Sequence, residues 1–291
     1  MKPAVFITIT SLVFIDCQKD VQVTVPSLPF EVSPDTVSIV PGLIDEASGI
    51  ADSRKNPGLL WVEQDSGNPP ELALLSYNGT VQKKIYIKGA ANRDWEDILV
   101  GSGPAAGENY VYVAETGDNT SSYPDYAIYR FPEPAAAADT VFTWDELSFK
   151  YPDHSHDCEA MLLDPDTKDI YLLTKRDTLS KIFRLPYPQS TTSTTTADPA
   201  GTMTISGICS AALSPDGTEI LIKTYTNVYY WKRNPGEPIT TTLQRMPQTL
   251  GYVLEPQGEA LCFRNDNSGF YTLSEKPFFA SYVSLNFYKR K

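Results

Sequence analysis

The 291 residues carry Tyr 17, Phe 12 and Pro 23 against Met 4, which suits short strands and rigid turns, and no amphipathic helical pattern holds for three turns. An all-β chain is therefore expected, with length for one large domain or two small ones. A formal charge of −12 argues against nucleic acid or an anionic membrane surface as partner, since either would need a basic face, and is compatible with bound divalent cations.

At the start of the chain, Lys2 precedes an apolar run from Ala4 to Ile15 that ends at Ile15-Asp16-Cys17. Residues 1–17 read as a secretory signal, too short for a comfortable transmembrane helix. The segment resembles a bacterial lipoprotein signal, which would make Cys17 an acylated first residue. Asp16 stands where such signals prefer Gly, Ala or Ser, so an ordinary cleaved signal and an uncleaved anchor are the alternatives. Acylation or simple cleavage carries the domain across the inner membrane into the cell envelope, held to the membrane by at most a lipid. Residues 18–35, with Pro26, Pro29 and Pro34, read as a tether.

From residue 36 a cadence of two short apolar runs separated by turn residues recurs. Its acidic or hydroxyl register residues are Glu46, Glu96, Glu159, Ser210 and Glu259, spaced at roughly the period of propeller blades. The continuous repeat predicts a single β-propeller over 36–291, with five blades, or six if 138–153 or 236–255 forms another. Thr36–Val40 alternates like a strand and is expected to close the ring against the blade holding Ala280–Tyr288, removing an exposed edge.

Blade one should use Glu46–Ala51, Leu59–Glu63, Glu71–Tyr77 and Thr80–Ile87, turning at Asn78-Gly79 and leaving its second strand at Gln64-Asp65-Ser66-Gly67-Asn68. Blade two begins at Arg93-Asp94-Trp95-Glu96-Asp97 and leaves its second strand at Glu115-Thr116-Gly117-Asp118-Asn119. Residues 132–140 read as a surface excursion. Blade three runs Glu159–Leu163, Ile170–Thr174 and Lys181–Pro186, and the Ser/Thr-rich Gln189–Ala200 reads as an outer loop. Blade four turns at Asp216-Gly217, and its outer strand has no clear place within Pro238–Leu254. Blade five runs from Pro256-Gln257-Gly258-Glu259 to Lys289-Arg290-Lys291.

Inner strands of a propeller surround its axis, so equivalent residues on them converge on the central channel. Glu46, Glu96, Glu159, Ser210 and Glu259 would there form an oxygen-rich ring. Crowded carboxylates must protonate, pair or hold a cation, and hard oxygen donors favour calcium over magnesium. The structural alternative is that these acids bond backbone N–H groups of neighbouring blades. A second layer at the channel mouth is expected from Asp65, Asp97, Glu115, Asp118, Asn119, Asp157, Lys175, Lys223, Tyr225 and Glu275, with Trp95 as pocket floor or interblade wedge. His154 and His156 are the only histidines, too few for a usual zinc site, which leaves His156 as a general base or a loop residue. Cys158, Cys209 and Cys262 read as buried thiols.

RDWED at 93–97, ETGDN at 115–119, YRFPEP at 129–134, HDCEA at 156–160, SPDG at 214–217, KTYT at 223–226 and PQGEA at 256–260 together resemble a group of secreted bacterial β-propellers of unassigned function. The likeness spans roughly 43–276. More remotely, acids at the starts of inner strands are similar to those of calcium-activated nucleotidases of the apyrase type and of phytase-like propellers, which implies calcium in the channel. The expected function is an envelope module, monomeric, that binds a ligand or protein around a calcium ion. The alternatives are a calcium-dependent hydrolase of phosphoric esters or anhydrides and a carbohydrate-active propeller.

Overall fold

In the computed structural model, which describes residues 28–276 and 282–291, the apolar runs pair into five sheets, each built on four antiparallel strands. Blade one contains Ala47–Asp52, Leu59–Gln64, Glu71–Ser76 and Val81–Ile87. Blade two contains Trp95–Ser102, Asn109–Glu115, Tyr126–Pro132 and Asp145–Lys150. Blade three contains Cys158–Leu163, Ile170–Thr174, Lys181–Leu185 and Asp198–Thr202. Blade four contains Ile208–Leu213, Glu219–Thr224, Val228–Lys232 and Gln248–Thr249. Blade five contains Ala260–Phe263, Gly269–Leu273, Val283–Lys289 and, from the other end of the chain, Asp35–Ile39.

The inner strands touch in the order of the blades, and that of blade five meets that of blade one, so the ring closes as a five-bladed propeller. Each interblade space is filled by its own apolar wedge. Trp61, Trp95 and Phe131 lie between blades one and two, Tyr126, Phe149 and Phe183 between two and three, and Leu162, Ile222 and Trp231 between three and four. Between four and five stand Phe30, Phe270 and Tyr288, and between five and one Ile44, Ile50 and Leu60. Burial on both faces explains why the inner and second strands read as nearly unbroken apolar runs.

Closure takes the expected form. Val37 faces Leu285 across the ladder, and Thr36 Oγ1 donates to Asn286 Oδ1 at 2.7 Å. The Asn78-Gly79 turn lies against this strand: Gly79 has φ +83°, and a Cβ there would stand 2.6 Å from the carbonyl oxygen of Ser38. The docked segment begins earlier than the tether boundary suggests. Phe30 is buried, edge-on to Phe270 at 5.0 Å, and Glu31 N–H donates to Lys289 O at 2.8 Å. The signal segment, Cys17, residues 18–27 of the tether and Ala280 lie outside the described residues.

The outer edges are laced in a way the repeat does not announce. After blade two's third strand the chain adds Thr140–Val141 in parallel to the edge of blade one, then returns as blade two's fourth strand, so 138–153 is not a sixth blade. The Ser/Thr-rich stretch repeats the move. Thr195–Thr196 pairs in parallel with blade two, and Asp198–Thr202 is the outer strand of blade three rather than a loop. Polar β-branched residues suit a strand with one face in water. Residues 236–255 hold a short helix, Ile239–Leu243, and the two-residue outer strand of blade four.

Candidate functional site

Four inner strands break register one residue in from their start. The ladder skips between Ala47 and Gly49, Trp95 and Asp97, Cys158 and Ala160, and Ile208 and Ser210. The unpaired residues are Ser48, Glu96, Glu159 and Cys209. In blade five Ala260 pairs with Leu273 as Ala160 pairs with Leu173, which puts Glu259 in the same place. Bulges re-aim side chains at the ends of sheets, and here they form the ring Ser48, Glu96, Glu159, Cys209, Glu259. Ser48 Oγ lies 3.2 Å from Glu96 Oε2 and 3.4 Å from Glu259 Oε2.

Two of the five register residues therefore stand elsewhere. Glu46 is exposed on the rim, where its Oε2 accepts from Asn68 Nδ2 at 2.7 Å. The reason is Ile44: it is fully buried in the wedge between blades five and one, and this fixes a register in which Ser48 becomes the bulge. Ser210 lies one layer below the ring, buried, with its Oγ lacking a hydrogen-bond partner. The ladder makes Cys209, not Ser210, the counterpart of Glu159.

Above the ring, ligand atoms of Asp65, Asp94 and Glu96 lie within 4.8 Å of one another, as do those of Glu96, Asp157 and Glu159. Asp94 is absent from the residues chosen by sequence. Glu115 places it: its carboxylate accepts from Arg93 N at 2.9 Å and Asp94 N at 2.8 Å, which ties the start of blade two to the exit of its second strand. Gly117 is the other signal. A Cβ there would stand 2.6 Å from the Asp94 carboxyl and closer still to Glu96 Oε1, so the glycine of ETGDN makes room for the carboxylates.

The acids around the ring are unevenly compensated. Lys175 pairs with Glu159, lies 3.2 Å from Glu259 and donates to Tyr225 Oη at 3.0 Å, while the Tyr225 hydroxyl donates to Glu259. Burial disfavours the ammonium charge, but Glu159 and Glu259 outweigh it and keep Lys175 protonated. Arg176 Nε stands 2.5 Å from Asp157 and also meets Asn119. Asp65, Asp94 and Glu96 have no ion pair among the described residues. Burial, then the neighbouring acids, pushes Glu96 well above the carboxylate range and Asp94 up to about 6. Glu275 is pushed up to about 8 by burial and by Glu259.

Several expected mouth residues are structural. Asp97 is buried and accepts from Ile98 N at 2.9 Å and, across the blade boundary, from Met161 N at 2.7 Å. Asp118 accepts from Ser122 N, Tyr123 N and the Tyr126 hydroxyl, folding its own loop. Trp95 is an interblade wedge whose Nε1 donates to Ala91 O at 3.0 Å. Lys223 is wholly buried, bonded to Gly258 O and 3.5 Å from Glu255, away from the mouth. His156 lies among Tyr151 and Phe183, its ring nitrogens 2.9 Å from Asp177 and 3.0 Å from Asp153, so neither serves the channel. Asp153 is held well below the usual carboxylate range by Lys181 and His156, despite some burial. Cys158, Cys209 and Cys262 are buried free thiols.

Glu63, on the second strand of blade one, carries no signal in the sequence pattern that sets it apart from its strand. It is fully buried and neither carboxyl oxygen has a hydrogen-bond partner. It occupies the space that a side chain at Gly49 would need, since a Cβ there would stand 2.6 Å from Glu63 Oε1 and 2.7 Å from Ile98 N. Burial, then the charge of Asp97, raises it far above the ordinary range.

No protein-family model matches the chain, and no curated protein matches it in sequence. Neither comparison thus supplies a relative in the secreted propeller group or among nucleotidase or phytase propellers. Among solved structures the chain is similar to an auxiliary nutrient binding protein from Bacteroides thetaiotaomicron, at 9% identity and TM-score 0.50, over 90% of this chain and 73% of that one. It is also similar to the Dos1 propeller, at 11% identity and TM-score 0.39, over 84% of this chain and 68% of that one. These likenesses concern the propeller fold alone.

Proposed function

We propose that the chain is a cell-envelope binding module, lipid-anchored through Cys17, whose channel mouth holds a calcium ion on which a ligand is gripped. The observation that carries this reading is the cluster of Asp65, Asp94 and Glu96 with no cation among the described residues to balance it. Two oxygens bonded to one calcium at about 2.3–2.6 Å lie no more than about 5 Å apart, and the oxygens here lie within 4.8 Å of one another. The donors are all oxygen, with Asp157, Glu159 and Ser48 adjacent, which suits a hard cation and not zinc or copper. When bound, calcium would neutralise the cluster and offer open coordination positions to carboxylate, phosphate or hydroxyl oxygens. Tyr225, partly exposed at the mouth, supplies a face for the rest of the ligand.

A binding role accords with the description of the Bacteroides neighbour as an auxiliary nutrient binding protein. Against phosphoryl hydrolysis stands the commitment of the nearby cations, since Lys175 and Arg176 are already engaged by acids and His156 by two aspartates. The envelope location rests on Lys2, the Ala4–Ile15 run and Cys17.

The test is thermal unfolding of chelated protein across a calcium titration. An ion that binds only the folded state adds about 2.7 kcal/mol at a hundredfold excess over its dissociation constant. A saturable rise lost in Asp94→Asn supports the reading, and no response to calcium in protein shown by metal analysis to be ion-free refutes it. Turnover of a phosphate-ester panel that vanishes on chelation would replace the binding module with a hydrolase.

A further inference from the structure

The same inner strands that gather acids at their starts surround, at their ends, a chamber lined by apolar side chains with polar groups interspersed. A cavity of about 210 Å³ lies among the later residues of all five inner strands, including Val100, Met161, Leu213 and Leu261. Leu99, Val100 and Leu213 are only half-buried, leaving apolar surface turned towards it. Asp52, Arg54, Pro215 and Asn265 border both this chamber and a wider vestibule of about 660 Å³ that includes Tyr77 and Arg264, so the chamber opens away from the acidic ring.

The polar groups at this opening are unequally engaged. Both Asp52 oxygens are occupied, by the Tyr77 hydroxyl at 2.7 Å and Asn265 N at 2.7 Å. Arg264 is paired with Asp266 at 3.3 Å and lies over Tyr77 at 4.7 Å. The Arg54 guanidinium makes no ion pair or hydrogen bond among the described residues, yet borders the chamber. An uncommitted cation at the lip of an apolar pocket is complementary to a molecule with one anionic end and one apolar end. An apolar cavity of about 150 Å³ takes up benzene, so this one is matched to a chain of roughly six to eight carbons or a ring with a short arm.

We infer that the end of the channel opposite the acidic cluster is a second binding site, for a small anionic amphiphile such as a medium-chain or aryl carboxylate. It is independent of the calcium reading. The test is calorimetry on the purified protein in chelator with the straight-chain carboxylates from butanoate to decanoate and the matching alcohols. Affinity should rise about fourfold per methylene, the value of burying one, and level off once the chamber is full. Arg54→Gln, with its fold checked by a melting curve, should weaken octanoate at least tenfold and leave octanol unchanged. Val100→Phe, which fills the chamber, should abolish both, and Asp94→Asn should change neither. Absence of binding across the series, or octanoate binding that ignores both Arg54→Gln and Val100→Phe, overturns the site. Octanol binding without a carboxylate preference overturns its anionic class.

Discussion

Gly117→Ala probes the acidic cluster without touching an acid. The added methyl would lie 2.6 Å from the Asp94 carboxyl and nearer to Glu96, where ordinary contact begins at about 3.4 Å, so both carboxyls must retreat by about 1 Å or the turn must open. Glu96 has little freedom to do so. It is buried, and Ser48 and Glu159 stand beside it. Overpacking of this kind costs about 1–3 kcal/mol, and a 1 Å displacement of two donors should lower calcium affinity by at least tenfold. Gly67→Ala is the control. Its φ of +83° makes alanine costly by about 1 kcal/mol, but nothing lies within 4 Å of the new methyl, so calcium affinity should stay unchanged. Urea unfolding and calcium calorimetry on both variants decide the matter. If Gly117→Ala binds calcium as tightly as the parent, the ion is not held by Asp94 and Glu96.

Two further outcomes follow from the charges and the fasteners. Asp94, Glu96 and Glu275 have folded-state pKa values above their unfolded values, with Asp94 at about 6 and Glu275 at about 8, so the folded state binds more protons than the unfolded one. Stability of calcium-free protein should therefore rise as pH is lowered from 8 through 6, and calcium affinity should fall over the same window, both measurable by melting curves with and without the ion. Flat melting temperatures across that range would show that these acids are solvated. Asp97→Ala strands the N–H groups of Ile98 and Met161 at about 1–3 kcal/mol each; denaturant unfolding should show that loss while calcium affinity holds, and a lost affinity instead would make Asp97 a ligand.

Much of the fold is legible because blade architecture is written in local pattern. Paired apolar runs, Asn78-Gly79 and Asp216-Gly217 turns and the alternation at Thr36–Val40 each express the structure of their own segment. What the pattern does not express is a relation between segments. The parallel lacing by Thr140–Val141 and Thr195–Thr196 joins the outer edge of one blade to the chain of the next, and two-residue strands leave no periodicity to read. The site was partly legible for the same reason. Glu96, Glu159 and Glu259 occupy the ring as their repeats indicate, whereas Glu46 and Ser210 were placed by residue type, and a bulge moves the channel position without changing composition. Gly117 and Gly49 look like turn or strand glycines until the carboxylates lying against them are known.

The acids at this end of the propeller fall into two kinds, and hydrogen bonding separates them. Asp97, Glu115 and Asp118 each accept backbone N–H groups, so their carboxylates answer a need of the fold. Asp94 and Glu96 accept none among the described residues; Glu96 takes a single hydroxyl from Ser48, and both stand beside further acids. Their charges are disfavoured by burial and by the neighbouring acids, which costs the ion-free fold stability. A fold selected for stability alone would replace them with neutral residues of similar volume. On the proposed calcium reading, their burial together against a turn whose glycine leaves room for them is accounted for by a cation that would remove the cost on binding, and the calcium titration and the pH dependence of the calcium-free protein both test that account.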